Sequence, residues 1–250
     1  MTGFRKPRYA ARFAASPQDI LAAQRLRFRS FRAAPGPEGE TGLDADDFDD
    51  VCRHVLVEDT RDGRLVCCFR ILPLRDGSEI GRSYSAQYYD LGPLASYTGP
   101  MVEMGRFCVD PAARHPDILR VAWAAVTEFV EENGVELLFG CSSFHGTEAE
   151  EYHDAFALLA ERHLAPRHWL PRVKAPRVFR FAARLRLRKP DLKLAMKRMP
   201  PLLRTYLVMG GWVSDHAVID KDLNTLHVFT GVEVRGVPKA RARLLRARSA

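Results

Sequence analysis

Apolar residues in this chain follow two periods, and the changes between them mark its elements. Residues 9–14 suit a short first strand. Ser16-Pro17-Gln18-Asp19 is a helix start, with Ser16 as cap and Pro17 at the first helical position. A helix is expected over residues 20–31, with Ile20, Leu21, Leu26 and Phe28 among its apolar positions. Residues 33–50 read as loop, since they hold two prolines, three glycines and seven acids. Residues 53–59 and 65–72 flank Thr60-Arg61-Asp62-Gly63-Arg64, and the central Asp-Gly marks a hairpin. Residues 83–100 are irregular and aromatic, with Tyr84, Tyr88, Tyr89 and Tyr97. An apolar strand follows over 102–109 and ends at a turn with Pro111.

The helical period returns at 117–132, where Ile118, Val121, Ala122, Ala125, Phe129 and Val130 form one stripe and Asn133-Gly134 ends the helix. Residues 137–141 are a short apolar run that opens into the polar Ser142-Ser-Phe-His-Gly146. Thr147 is expected to cap a helix over 148–163. Between 165 and 197 the pattern is weak. A Pro-initiated helix is expected at 200–211, and late strands at 217–219 and 227–233. This order predicts an α/β fold, a mixed sheet with helices on both faces, within one domain spanning 1–250. Residues 165–210 would be a basic helical insertion in it, and 235–250 a basic tail.

Composition narrows the class. The 250 residues are 46% hydrophobic and 28% charged, as in an ordinary globular protein. No run approaches the ~18 apolar residues of a membrane span. The basic N-terminus lacks the apolar segment of a signal peptide, so secretion is not expected. The five cysteines (Cys52, Cys67, Cys68, Cys108, Cys141) show no C-x-x-C spacing. They read as small buried hydrophobes in a reducing, cytoplasmic compartment, and no metal is expected.

The net charge of +7 is unevenly spread. From Arg162 to Arg204 there are fourteen Lys and Arg and one acid, Asp191, whereas residues 38–50 carry seven acids. A basic half of this kind suits a polyanionic partner. Nothing resembles a helix-turn-helix, zinc finger or RNA-binding sheet motif, so no nucleic acid is expected. Interleaved with the cations are Trp169, Val173, Val178, Phe179, Phe181 and Leu185. That mixture suits an anionic membrane surface, an acidic carrier protein, or a solvated basic tail.

The candidate chemistry lies in charges set within apolar strands, which are costly unless paired. Val102-Glu-Met-Gly-Arg-Phe-Cys-Val-Asp-Pro111 carries Glu103 and Arg106. Arg27, Asp44, Asp46, Asp49 and Arg70 lie upstream. Ser142, Ser143 and His145 stand where a strand end would meet a helix, a common place for sites. No G-x-S-x-G elbow supports a serine nucleophile.

The motifs Leu26-Arg27 with Phe31, Asp44-x-Asp46-x-x-Asp49, Cys68-Phe-Arg70-Ile-Leu-Pro73 and Glu103-x-x-Arg106-Phe-x-Val109 resemble the acyl-homoserine-lactone synthase branch of the GNAT acyltransferases. Phe48-Asp49-Asp50 with His54 and Leu56, Gly140-Cys-Ser-Ser-Phe144, Pro200-Pro-Leu-Leu-x-x-Tyr206 and Asn224-Thr225…Val228-Phe229 narrow the likeness. The chain is more similar to the bacterial ornithine–acyl-carrier-protein N-acyltransferases, the hemolysin-like enzymes that begin ornithine-lipid synthesis. The resemblance covers roughly residues 9–232 and implies a GNAT-like fold.

It further implies transfer of a (3-hydroxy)fatty acyl chain from acyl carrier protein to the α-amine of a free amino acid. Ornithine is the favoured acceptor and lyso-ornithine lipid the product. Glutamine or lysine as acceptor, homoserine-lactone synthesis, and a non-enzymatic lipid- or carrier-binding adaptor stand as alternatives. Glu103 would be the general base, or else only a strand brace pairing with Arg106 or Arg70. A backbone N–H of Phe107, Cys108 or Val109 would stabilise the oxyanion. Arg27, Asp44, Asp46, Asp49, Arg70 and Arg106, with Ser142, Ser143 and His145, would form the amino-acid site or its scaffold.

The family's glycine-rich pyrophosphate loop should follow the strand at 102–109. Here the segment is Ala112-Ala-Arg-His-Pro-Asp-Ile118, without glycine. That favours the single phosphate of a carrier's phosphopantetheine arm over coenzyme A. No resident cofactor is expected. Arg114, Arg180, Arg184, Arg186 and Arg188 are the candidate carrier contacts, and the protein would lie in the cytoplasm or at the inner face of the cytoplasmic membrane.

Overall fold

The computed structural model describes residues 7–32, 42–113 and 115–246. In chain order the first elements are β1 (Tyr9–Phe13), α1 (Pro17–Phe31), β2 (Arg53–Asp59), β3 (Leu65–Leu74), β4 (Tyr89–Asp90), β5 (Met101–Val109), α2 (Pro116–Glu132), β6 (Leu137–His145) and α3 (His153–Arg162). There follow β7 (Arg172–Val173), β8 (Val178–Phe179), α4 (Phe181–Arg184), α5 (Leu192–Arg198), α6 (Pro201–Val208), β9 (Trp212–Val213), β10 (Ala217–Asp220), β11 (Thr225–Glu233) and α7 (Lys239–Arg246). They group into two compact units. One comprises Met1–Leu72, Met104–Gly134 and Ala242–Ala250, and the other Pro73–Glu103 and Val135–Arg241.

In the first unit, β1, β2 and β3 form an antiparallel meander. Its β2–β3 turn closes where predicted, with Gly63 at φ 72° and its N–H on the Asp59 carbonyl at 2.8 Å. Only glycine adopts that left-handed conformation at little cost. Ser16 caps α1 by accepting from the Asp19 N–H at 3.2 Å. Pro116 opens α2, and Gly134 at φ 58° follows its end. Helix α1 buries Ala23 and Leu26 against Leu56, Cys68 and Cys108. Cys67, Cys68 and Cys108 are thus small core residues, and burial holds the Cys67 thiol in its neutral form. Cys52 and Cys141 are only half-buried.

In the second unit β5 pairs in parallel with β6, through Met101–Glu103 against Leu137–Phe139. Strand β6 pairs antiparallel with β11 over its whole length, β11 with β10, and β10 with β8. A separate two-stranded ribbon joins β4 to β7. Phe144, Phe156, Phe179 and Phe181 centre the core, with Phe156 and Phe181 stacked at 5.1 Å.

Three expectations give way here. The polar run from Ser142 to His145 is not a strand end, because the nine-residue pairing with β11 carries β6 through His145. Thr147 caps no helix; a 3-10 turn over Ala149–Tyr152 precedes α3. The stretch at 165–210 is not purely helical, since β7 and β8 join the two sheets. Within it, Phe179 and Phe181 are core residues, not surface anchors. Arg188 clips this segment to α3: its Nε and Nη2 donate to the Asp154 carboxylate at 3.0–3.2 Å, and the Asp191 N–H donates to the same group at 3.1 Å.

Truncating a surface aromatic costs little, whereas emptying a packed ring site leaves a cavity. Phe181→Ala is therefore expected to lower unfolding free energy by about 3–5 kcal/mol in urea titrations. A loss below about 1 kcal/mol would return Phe181 to the surface.

Candidate active site around Glu103 and the buried charge network

Glu103 is buried in β5, and backbone geometry decides its partners. Residues 77–87 form successive 3-10 turns that aim their N–H groups at its carboxylate. The Tyr84 N–H donates to Oε2 at 2.7 Å, the Ser85 N–H to Oε1 at 2.8 Å, and the Ser85 hydroxyl to Oε1 at 2.6 Å. Gly77 starts this run against the Leu94 carbonyl, where any Cβ would overlap it. Donors of this kind orient a carboxylate and complement its negative charge.

Around the same strands lie polar groups that sequence reasoning missed. Ser85 Oγ lies 3.4 Å from Cys141 Sγ. Tyr206 is buried, and burial, reinforced by the nearby Cys141 and Glu103, pushes its phenol far above its usual range. Tyr84 and Tyr88 pack at 5.3 Å, Tyr88 stands edge-on to His227 at 5.0 Å, and the Tyr89 hydroxyl donates to the His227 carbonyl at 2.7 Å. Burial, aided by His216, lowers His227 to about 3, so its ring is neutral near pH 7. Only the aromatic irregularity of 83–100 hinted at this cluster.

In the first unit, the six charges singled out from the sequence do meet. Arg27 grips Asp49 with both Nη atoms at 2.7 Å and donates from Nε to the Asp44 carbonyl at 3.0 Å. Arg70 donates to Asp49 at 2.9 Å and also pairs with Asp46. Arg106 reaches Asp46 at 3.0 Å, with its Nε 3.1 Å from Asp44. Gln24 completes Asp49 at 2.9 Å, Arg32 reaches Asp44 at 2.8 Å, and His54 Nε2 meets the Asp49 carbonyl at 3.1 Å. Burial alone would raise Asp49, yet hydrogen bonds from Arg27 and Gln24 and the charges of Arg27 and Arg70 hold it well below the carboxylate range. Asp46 is likewise held low by Arg70 and Arg106 against burial.

Three guanidinium groups therefore meet three carboxylates in a closed network. Arg27, Asp44, Asp49 and Arg70 pair chiefly with other members of the network, although Arg70 Nε is buried without a hydrogen-bond partner. Asp46 and Arg106 are the members that reach the surface. Arg106 also carries a left-handed backbone, φ 51°, within β5. A non-glycine residue in that conformation costs about 1–3 kcal/mol and persists only where its surroundings impose it.

Comparison with known proteins identifies the family. Residues 26–124 match the family model described as an acetyltransferase (GNAT) domain. The L-ornithine Nα-acyltransferase of Rhodobacter capsulatus is 35% identical over 230 residues, 88% of each chain. The chain belongs to the L-ornithine Nα-acyltransferase family. The Brucella abortus member is 32% identical, over 87% of this chain and 82% of that protein. Among solved structures, FeeM, an N-acyl amino acid synthase from uncultured soil microbes, shares the fold. Its TM-score is 0.50 at 12% identity, covering 92% of this chain and 94% of that one.

Other predicted positions of this acyltransferase are scattered. Ser142 is buried and accepts from the Thr230 hydroxyl at 3.0 Å, whereas Ser143 and His145 are exposed on the alternate face of β6. The three do not converge. Phe107 stacks on Phe69 at 5.2 Å, Cys108 Sγ lies 3.5 Å from Cys68 Sγ, and the Val109 carbonyl accepts from Ser30 at 3.5 Å. Arg114 lies outside the described residues. Arg180 lines a separate polar pocket with Arg167, Arg172 and Asp215. Arg184 sits over the Phe179 ring at 5.8 Å, and Arg188 is held by Asp154.

Asp49→Asn would strand Arg27 and Arg70 as buried, under-compensated cations. The expected cost is about 3–5 kcal/mol, read by denaturant unfolding at pH 7. Because Asp46 and Asp49 titrate lower in the folded than the unfolded chain, their contribution is complete above the ordinary 3.8 and is lost as pH falls below it. His227, lowered from 6.5 to about 3, adds an earlier decline as pH falls through that interval, since the unfolded chain binds the proton first. Thermal melts from pH 8 to pH 3 should show both phases, and His227→Gln should shrink the first, to which the lowered His54 and His163 also contribute, while sparing the second.

Proposed function

We propose that this protein forms an amide between a fatty acyl chain and the α-amine of L-ornithine, releasing lyso-ornithine lipid. The acyl donor in this reading is the phosphopantetheine thioester of acyl carrier protein. The amine nitrogen attacks the thioester carbonyl carbon, the C–S bond breaks, and the carrier's thiol leaves with a proton. An ammonium must first lose a proton to become a nucleophile. Glu103, held by three donors in a family named for this transfer, takes it directly or through a water. That oriented carboxylate is the observation that carries the proposal.

Two features support a carrier over coenzyme A. The segment after β5 lacks glycine, and α2 begins with Pro116, which has no N–H to offer a phosphate. The next amide, of Asp117, is already capped by His115 Nδ1 at 3.2 Å. A helix start so depleted of donors suits one phosphate better than two. No helix among the described residues is long and apolar enough to cross a membrane.

Purified protein with acyl-carrier thioester and a panel of amino acids, followed by mass spectrometry, tests the reading. N-acyl-ornithine should dominate over N-acyl-lysine and N-acyl-glutamine, with acyl-CoA a poorer donor. No product with any acceptor would sink the proposal, and equal rates with acyl-CoA would refute the donor assignment. Glu103→Gln should lower kcat/KM by about 10²–10⁴, far more than the fraction of protein it unfolds at the assay temperature, although its amide leaves one of the buried N–H donors unpaired. Ser85→Ala should lower it by about tenfold and move the acid limb of the pH–rate profile upward, because the lost donor favoured the charged carboxylate. An unmoved profile would leave Ser85 a purely structural residue.

A further inference from the structure

The sequence Arg184-Leu-Arg-Leu-Arg-Lys-Pro-Asp-Leu-Lys-Leu-Ala-Met-Lys-Arg198 alternates long aliphatic and cationic residues. A strand would bury every second residue of the first half, yet the structure bends it otherwise. Leu185 turns inward and packs on the core of the second unit, whereas Leu187 points out and is 89% exposed. The residues that follow are fixed: Arg188 and the Asp191 N–H both engage Asp154. Leu187 is thus presented to solvent by an anchored loop.

Further along, Leu192 and Met196 sit one helical turn apart on α5, at 46% and 43% exposure, while Ala195 between them is buried. Beside Leu187 an open groove of about 740 Å³ runs along α3. Its floor is Ala157, Ala160, Leu164, Ala182 and Leu185, and its rim carries Arg162, Arg186 and Lys189, with Glu161 as an acid among them. Lys193 and Lys197 extend the cationic rim on α5, both exposed.

We infer that this face docks on a bilayer carrying anionic lipid. Leu187, Leu192 and Met196 enter the acyl-chain boundary, Arg186, Lys189 and Lys193 meet lipid phosphates, and the groove receives one acyl chain. The choice of partner rests on charge and shape together. Cations around an apolar floor match a headgroup and its tail, and the long stems of Lys and Arg reach the phosphates while the leucines descend. Phe179 and Phe181, two of the aromatics expected to serve this role, are inside the core, so the aliphatic tips and the groove carry the contact. Docking needs no turnover, and its failure would leave the acyltransfer reading standing.

The test is co-sedimentation of the full chain with vesicles of phosphatidylcholine alone or of equal parts phosphatidylcholine and phosphatidylglycerol. Binding should require phosphatidylglycerol and weaken as salt rises. Leu187→Asp, at an exposed position that folding does not need, should reduce partitioning by at least about tenfold. Arg186→Glu with Lys189→Glu should do the same and flatten the salt dependence. Leu187→Trp should bind as wild type, with its emission shifted to the blue on anionic vesicles only. Equal binding to both vesicle types, or wild-type partitioning by Leu187→Asp, would overturn the proposal. So would loss of binding to an acidic carrier protein in these variants with vesicle binding intact, which would assign the face to that carrier.

Discussion

The constraint on which the first unit depends is charge neutrality inside a small core. Arg27, Arg70 and Arg106 cannot be buried alone, and neither can Asp44, Asp46 and Asp49. Together they tie α1, the acidic segment before β2, β3 and the latter part of β5 into one hydrogen-bonded assembly. The capping box of Asp46 and Asp49 shapes the 3-10 turn so that both carboxylates face the guanidinium groups. A register shift in any member of the network would strand a buried charge. Arg106 joins it from a left-handed position within a strand.

Glu103 shows the opposite solution to the same problem three residues earlier on β5. Its charge is met by two backbone N–H groups and a hydroxyl from a tight turn. Amide dipoles are fixed by the fold and carry no net charge. They hold a carboxylate in place and leave its formal charge unchanged. The contrast separates a network built of ion pairs from a carboxylate oriented by dipoles.

The basic segment divides along similar lines. Arg188 is spent on Asp154 and Arg184 on an aromatic face, so these cations build the fold. Arg186 and Lys189 stand on the rim of a groove instead. Equal spacing in sequence thus hides unequal roles, because turns at 185–191 set which side of the backbone meets the core.

Much of the architecture was legible in the chain itself. The Ser16-Pro17 start, the Asp62-Gly63 turn, the 117–132 stripe and the late strands all appear where local pattern put them, since each depends on neighbours within a few residues. The six network charges were legible too, because ionised groups in apolar runs demand partners wherever they fold. Tertiary structure alone decided who those partners are. It drew β6 on through Ser142 to His145 by pairing with β11, placed Phe179 and Phe181 inside, and brought Ser85, Cys141 and Tyr206 to Glu103. Those contacts join residues far apart in sequence, and cross-strand pairing and long-range packing leave no periodic trace in the chain that makes them.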